Sequence, residues 1–345
     1  MISVYRVASS CLLIVLLLVL PVAFGQKPPK RRPVPQYEIS ELPLRPLSIS
    51  NSGWIAGITD DQHAATWSLQ AGLFRVPLPL DFTFSECVSI NASGEAVGTA
   101  SAGDYSRRIA FVVRQNKVSF LPGTQSRANS ISERGEIVGQ TIFPDSKAAQ
   151  PVLWKNGALI DLHICCAGSA RSINSRDLIA GDTYDKEGRY HAFLWDAKRG
   201  ARLLTLPGEQ YSTAMALNSR GQVVLKSTPR GLFLYSHGVS QPIDIPKATP
   251  RAMSKDAVLV GSYGPSPEQQ RAFVWNKANG LQDLNSLIPQ DSGWTLEVAS
   301  SINDRGEIVG WGDHGGVENA GFILRPCAMQ QNGPKHKPDS SQLPE

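Results

Sequence analysis

The sequence lacks the short signatures of most catalytic chemistry. It has no Cys-x-x-Cys, no zinc-type Cys/His spacing, no His-Glu-x-x-His, no Gly-x-Ser-x-Gly and no phosphate-cradling P-loop. Nor does it contain an EF-hand-like run of acids. No metal or cofactor is therefore called for. Methionine is scarce at 4, against 30 glycines and 24 prolines, which disfavours long helices and favours turn-rich β structure. Charged residues are only 19% of the chain, whereas 41% is hydrophobic, enough for a core and too much for wholesale disorder.

The net charge of +4 belongs to the flanks. Seven of the 34 basic residues (Arg6, Lys27, Lys30, Arg31, Arg32, Lys335, Lys337) and two of the 30 acids lie outside 37–325, leaving that span at −1. No cluster of Lys and Arg stands out within it, so nucleic acid is not an expected partner. The first 25 residues read as a secretory signal: Arg6, an unbroken apolar run from Leu12 to Leu20, then Ala23-Phe24-Gly25 before Gln26. That run is too short for a membrane span, though an uncleaved anchor is the alternative. Export to the periplasm or beyond follows, as a monomer with no transmembrane span. Residues 26–36 form a basic, Pro-rich linker and 326–345 a polar tail, both expected to be disordered. An oxidising compartment permits disulfides. A bridge from Cys87 to Cys165 or Cys166, and a vicinal Cys165–Cys166 bond, are both open.

What the sequence does have is a repeat. Ile-Asn-x-x-Gly-x-(Ile/Val)-Val-Gly appears as Ile90-Asn91-Ala-Ser-Gly94-Glu-Ala-Val-Gly98 and as Ile302-Asn303-Asp-Arg-Gly306-Glu-Ile-Val-Gly310. Variants begin at Ile49, Ile131, Ile173, Leu217 and Met253. The turn positions 53, 94, 135, 177, 221, 257 and 306 are spaced by 41, 41, 42, 44, 36 and 49 residues. A second element follows each, as in His63-Ala-Ala-Thr-Trp67, His191-Ala-Phe-Leu-Trp195 and Ala272-Phe-Val-Trp275. A third is a short alternating run such as Leu203–Leu206. Asn opens a tight turn through its side chain and Gly supplies positive φ. Each unit thus offers four strands, a to d, the size of a propeller blade. A blade cannot bury both faces alone, and stacking around an axis buries both. The seventh unit lacks its strand d, while Tyr37–Leu42 stands unpaired before the first. The predicted fold is all-β: a seven-bladed β-propeller of four-stranded antiparallel blades over 37–325, its N-terminal strand completing the last blade. A β-solenoid is the alternative, but its coils usually repeat faster.

These motifs, His191-Ala-Phe-Leu-Trp195 and Gly-Glu-Ile-Val-Gly together, resemble the HAF-repeat family of secreted bacterial repeat proteins. The resemblance covers nearly all of 37–325. It implies export but no established activity and no catalytic residue. Only the fourth unit keeps the full His-Ala-Phe; the second and sixth keep Ala110-Phe111 and Ala272-Phe273.

Repetition itself explains several tempting constellations. Asn91, Asn174, Asn218 and Asn303 occupy equivalent turns and read as turn caps. Trp67, Trp154, Trp195, Tyr235 and Trp275 occupy equivalent strand-c positions and read as packing between blades. Several b–c loops carry both an aromatic and an acid: Asp104/Tyr105, Phe143/Asp145, Tyr184/Asp185, Tyr263/Glu268 and Trp311/Asp313. They point to a non-enzymatic propeller that presents these loops, at the channel mouth, to a polysaccharide or a protein. The alternative is a hydrolase or lyase acting on polysaccharide, its carboxylates drawn from Asp60, Asp104, Asp185 and Asp313. If the leader is processed, Edman sequencing of the exported protein will begin at Gln26; an N-terminus at Met1 would show an anchor instead.

Overall fold

The computed structural model describes residues 36–327 apart from 105, 165, 267 and 268. The leader, the linker up to residue 35, the tail from residue 328, Tyr105, Cys165 and Glu268 lie outside the described residues. The repeat units fold as seven four-stranded antiparallel sheets. Blade four shows the plan: strand a is Gly168–Ile173, b Ile179–Tyr184, c Tyr190–Asp196 and d Gly200–Leu203, hydrogen-bonded in that order. Each strand a touches the strand a of the next blade, and the last touches the first, so the sheets form a closed ring.

Blade seven is assembled from both ends of this span. Its strands a to c are Trp294–Ile302, Ile308–His314 and Val317–Pro326, and its outer strand is Tyr37–Leu42. The register runs from Tyr37 opposite Pro326 to Leu42 opposite Gly321. Pairing continues one residue past the expected boundary at Arg325, and the Cys327 N–H donates to the Gln36 carbonyl at 2.9 Å. The edge of strand c is thereby covered.

The repeated asparagines do more than cap turns. Each Oδ1 accepts the N–H groups two and four residues on, as Asn303 does from Arg305 and Glu307, both at 3.0 Å. Each Nδ2 then donates to the carbonyl at the same turn position of the next blade. Asn91 reaches Ser132 (3.2 Å), Asn174 reaches Asn218 (2.9 Å), Asn218 reaches Ser254 (3.1 Å) and Asn303 reaches Ser50 (3.1 Å). Where the repeat has Ser50, Ser132 or Ser254, the hydroxyl caps its own turn, accepting from Trp54, Glu136 or Val258.

The second conserved position of the motif, the glycine of strand b, faces a β-bulge. All seven inner strands carry one, leaving Leu47, Val88, Asn129, Arg171, Met215, Arg251 and Ser300 without a partner opposite. At the bulge the strand-a carbonyl presses onto strand b. A Cβ on Gly98, Gly181, Gly261 or Gly310 would overlap the carbonyl oxygen of Glu86, Ser169, Thr249 or Val298. The space above each glycine is filled by the cross-strand phenylalanine of the second motif, Phe111, Phe193, Phe273 and Phe322, all fully buried. The two sequence motifs are thus one contact. Blade five has Leu225 instead of glycine, opposite Phe233.

Cys87 lies on strand a of blade two (Phe84–Ile90) as a free thiol, wholly buried among Ala56, Phe82 and Phe111. Cys166 sits two blades round, in the connection into blade four. The bridge considered from Cys87 is therefore not formed. Burial, with a smaller push from the Glu86 charge, raises its thiol far above the ordinary range, so it packs as a small hydrophobe.

Asn303→Ser should keep its turn but lose the bond to Ser50, one of the contacts that tie blade seven to blade one. We expect a loss of about 1 kcal/mol in urea unfolding. Gly310→Ala should cost more, about 2–3 kcal/mol or failure to fold, because backbone rather than a flexible side chain must yield.

Candidate functional site

A bulge re-aims the extra residue, and here all seven extra residues line the axial channel, a cavity of about 530 Å³. The ring they form does not repeat: apolar Leu47, Val88 and Met215, polar Asn129 and Ser300, and the cations Arg171 and Arg251. Below it the channel is walled by the a–b turns, with Asn51, Glu133, Lys255 and Asp304 among the lining residues. None of the loop residues singled out from the sequence lines this channel among the described residues. The ring is nevertheless visible in the sequence, two positions before the motif Ile, where small residues surround one that changes from unit to unit.

Three polar ring residues are satisfied within the ring. Asn129 donates to the Ser169 hydroxyl (2.9 Å) and the Ala170 carbonyl (2.8 Å) of the next blade. Ser300 donates to the carbonyl of Pro46 in blade one at 2.8 Å. Arg171 pairs with Asp182, which lies beside it on strand b. Burial raises the Asp182 carboxyl above the ordinary range; Arg171 and the Ala214 N–H (2.9 Å) pull against that.

A second cavity, about 580 Å³, opens on the b–c side between blades three, four and five. Tyr184 and Tyr190 line it at 44% and 40% exposure, high for rings of this size. They meet edge to face at 6.0 Å, and Tyr211 stands 5.3 Å behind Tyr190. Gln140, Ser169, Thr213, Asp182 and Arg171 complete the wall, so Arg171 borders both cavities. The sequence reading selected Tyr184 and missed Tyr190 and Tyr211, which are adjacent only through the pairing of strands b and c and the stacking of blade five.

The other loop residues have local employment. Asp104 accepts from the N–H and hydroxyl of Ser106, which hold its carboxyl below the usual range. Tyr263 is turned inward, edge-on to Phe273, its hydroxyl donating to Asp283 at 3.2 Å. Asp313 accepts from the Gly316 N–H at 3.1 Å. Near it, burial first and then the charges of Asp313 and Glu318 raise the Glu297 carboxyl. Trp311, on strand b of blade seven, is half-buried, with the guanidinium carbons of Arg45 and Arg251 at 5.6 and 5.5 Å from its ring centroid. Asp60, Asp104, Asp185 and Asp313 stand on four different blades, and none lines either cavity.

Asp185 anchors the histidine of the full His-Ala-Phe. His191 Nε2 lies 3.1 Å from Asp185 and its Nδ1 3.7 Å from Glu209, whose carboxylate accepts from the hydroxyls of Ser212 (2.9 Å) and Ser227 (3.1 Å). Blade four is tied to blade five beside it, where the Ala192 N–H donates to the Ser212 hydroxyl at 3.0 Å. Burial works to raise the Asp185 carboxyl, but the Arg189 N–H, His191 and the Arg189 guanidinium outweigh it and hold it well below the ordinary range.

No family model matches the sequence, and no curated protein matches it. Solved structures do. Virginiamycin B lyase from Staphylococcus aureus is similar with a TM-score of 0.53 and 11% identity, over 84% of this chain and 100% of that one. The β-propeller domain of the Trilobed protease from Pyrococcus furiosus is similar with a TM-score of 0.55 and 9% identity, over 84% and 95%. That domain has an open velcro topology; here the ring is closed by Tyr37–Leu42. TolB from Acinetobacter baumannii matches with a TM-score of 0.41 and 15% identity over 59% of this chain, which spans about half (52%) of that protein. The likenesses to the lyase and to the protease domain establish the propeller fold and nothing finer.

Asp185 has a depressed folded pKa, so its contribution to stability is fully present above the unfolded value near 3.8 and is lost progressively as pH falls from there through the much lower folded value. Urea unfolding should therefore show Asp185→Asn less stable than the parent at pH 7, with the gap starting to narrow below about pH 4 and still open at about pH 3. A gap of constant size would mean that the carboxylate charge is not what matters.

Proposed function

We propose that the protein is an exported binding module that holds a polysaccharide on its b–c face, in the cavity between blades three, four and five. The observation that carries this reading is the pair of exposed rings, Tyr184 and Tyr190, set in a concave wall with Gln140, Ser169, Thr213, Arg171 and Asp182. Sugar rings stack on aromatic faces, and side-chain amides, hydroxyls and charged groups match their hydroxyls. The two rings have few torsions to immobilise, so presenting them costs little entropy. Export is read from the N-terminal 25 residues. Among the described residues no helix is long and apolar enough to cross a membrane.

A hydrolase or lyase acting on polysaccharide is the second reading. The raised Glu297 carboxyl beside Asp313 favours it, since a general acid needs such a shift. Release of new reducing or unsaturated sugar ends, abolished in Glu297→Gln, would support it.

On a glycan array, Tyr184→Ala and Tyr190→Ala should each weaken capture by about tenfold, the worth of one lost stacking contact. Unchanged capture by both would remove this cavity from consideration. Capture of proteins but of no glycan would reassign the face to a protein partner.

A further inference from the structure

We propose that the axial channel binds the carboxylates of an acidic, uronate-type polysaccharide through Arg251 on its wall, seconded by Arg45, which lies outside the channel lining but shares the Trp311 ring with it. The inference rests on the carbohydrate reading above and specifies the charge of the ligand.

The ring leaves one arginine without a partner. Arg171 and Arg251 occupy the same bulge position in blades four and six. In blade four the strand-b residue beside the bulge is Asp182, which neutralises Arg171. In blade six the equivalent residue is Ser262, which carries no charge. Arg251 accordingly has no hydrogen-bond or ion-pair partner among the described residues, unlike every other polar member of the ring. It reaches instead to Trp311, which Arg45 approaches from blade one. Arg45 also has no acidic partner among the described residues.

Two guanidiniums thus lie against one indole, and no acidic side chain pairs with either among the described residues. Arg251 is exposed on the channel wall, and partial desolvation there lowers its pKa from the ordinary value. A cation partly desolvated by the channel wall and given no counter-charge by its own blade is favourably placed for a ligand that supplies one. A carboxylate does so with two parallel hydrogen bonds to a guanidinium fork. Arg171 borders both the channel and the tyrosine cavity, so a chain held on Tyr184 and Tyr190 leads past it to the ring. A neutral chain would leave Arg251 and Arg45 as they are; an acidic one satisfies them.

The test is retention of the full-length exported protein on immobilised polygalacturonate and on a neutral glucan, at low and at physiological salt. The parent should prefer polygalacturonate, and that preference should weaken with salt. Arg251→Gln and Arg45→Gln should each lower polygalacturonate affinity by about tenfold and leave glucan retention unchanged. The Arg251→Gln melting temperature should hold or rise, because the substitution removes an uncompensated charge, so the loss cannot be ascribed to misfolding. Equal retention on both polymers, or full affinity in Arg251→Gln, would overturn the acidic assignment and leave the carbohydrate reading standing. Competition by inorganic phosphate as strong as by galacturonate oligomers would also overturn it. Absence of binding to either polymer would sink the carbohydrate reading itself, and this inference with it.

Discussion

In six blades the carbonyl of strand a lies where the Cβ of its strand-b neighbour would be, and a glycine makes room for it. Much else follows from that approach. The main chain can come so close only because strand a is bulged, and the bulge turns one residue per blade toward the axis. The vacancy over the glycine is then covered by an aromatic from strand c in most blades, by Trp154 over Gly139, or by Leu44 beside Gly57. Backbone contact, core aromatic and channel ring are consequences of one local geometry, repeated with small variations. Blade five departs from it with Leu225, still fully buried.

Periodicity made the architecture legible, because every structural demand recurs at the same place in each unit. The missing outer strand of the seventh unit and the spare Tyr37–Leu42 pointed to closure, and the ladder from Tyr37 to Pro326 forms it. The asparagine turns were half legible. Their self-capping follows from local chemistry, whereas the reach of Nδ2 to the next blade depends on how blades stack, which spacing cannot show. Tyr263 illustrates the opposite limit. On a loop read in one dimension it looked outward, yet its partner Asp283 ends strand d of the same blade and draws the hydroxyl in. The ring residues escape a search for recurrence because they hold one register position in every unit while changing in identity.

Function in such a scaffold resides in the positions released from structural duty. Asn129, Ser300 and Arg171 are committed to neighbours, and the histidine of the full His-Ala-Phe is committed to Asp185. What remains unspent is a patch of tyrosine beside blade five and two arginines at Trp311. Both lie off the repeat, and both present side chains whose chemistry the fold itself does not consume.

The outermost strand of blade seven also has a temporal meaning. Tyr37–Leu42 leaves the ribosome before any blade exists, and its partner Val317–Pro326 emerges some 280 residues later. The earliest segment must therefore wait, unpaired, for the latest one. Six blades can assemble progressively from neighbours in the sequence, but the circle locks only in a long-range step with a large loop-closure entropy. A chain truncated anywhere before that point holds an array with two raw ends, which makes the final latch a check on the completeness of the polypeptide.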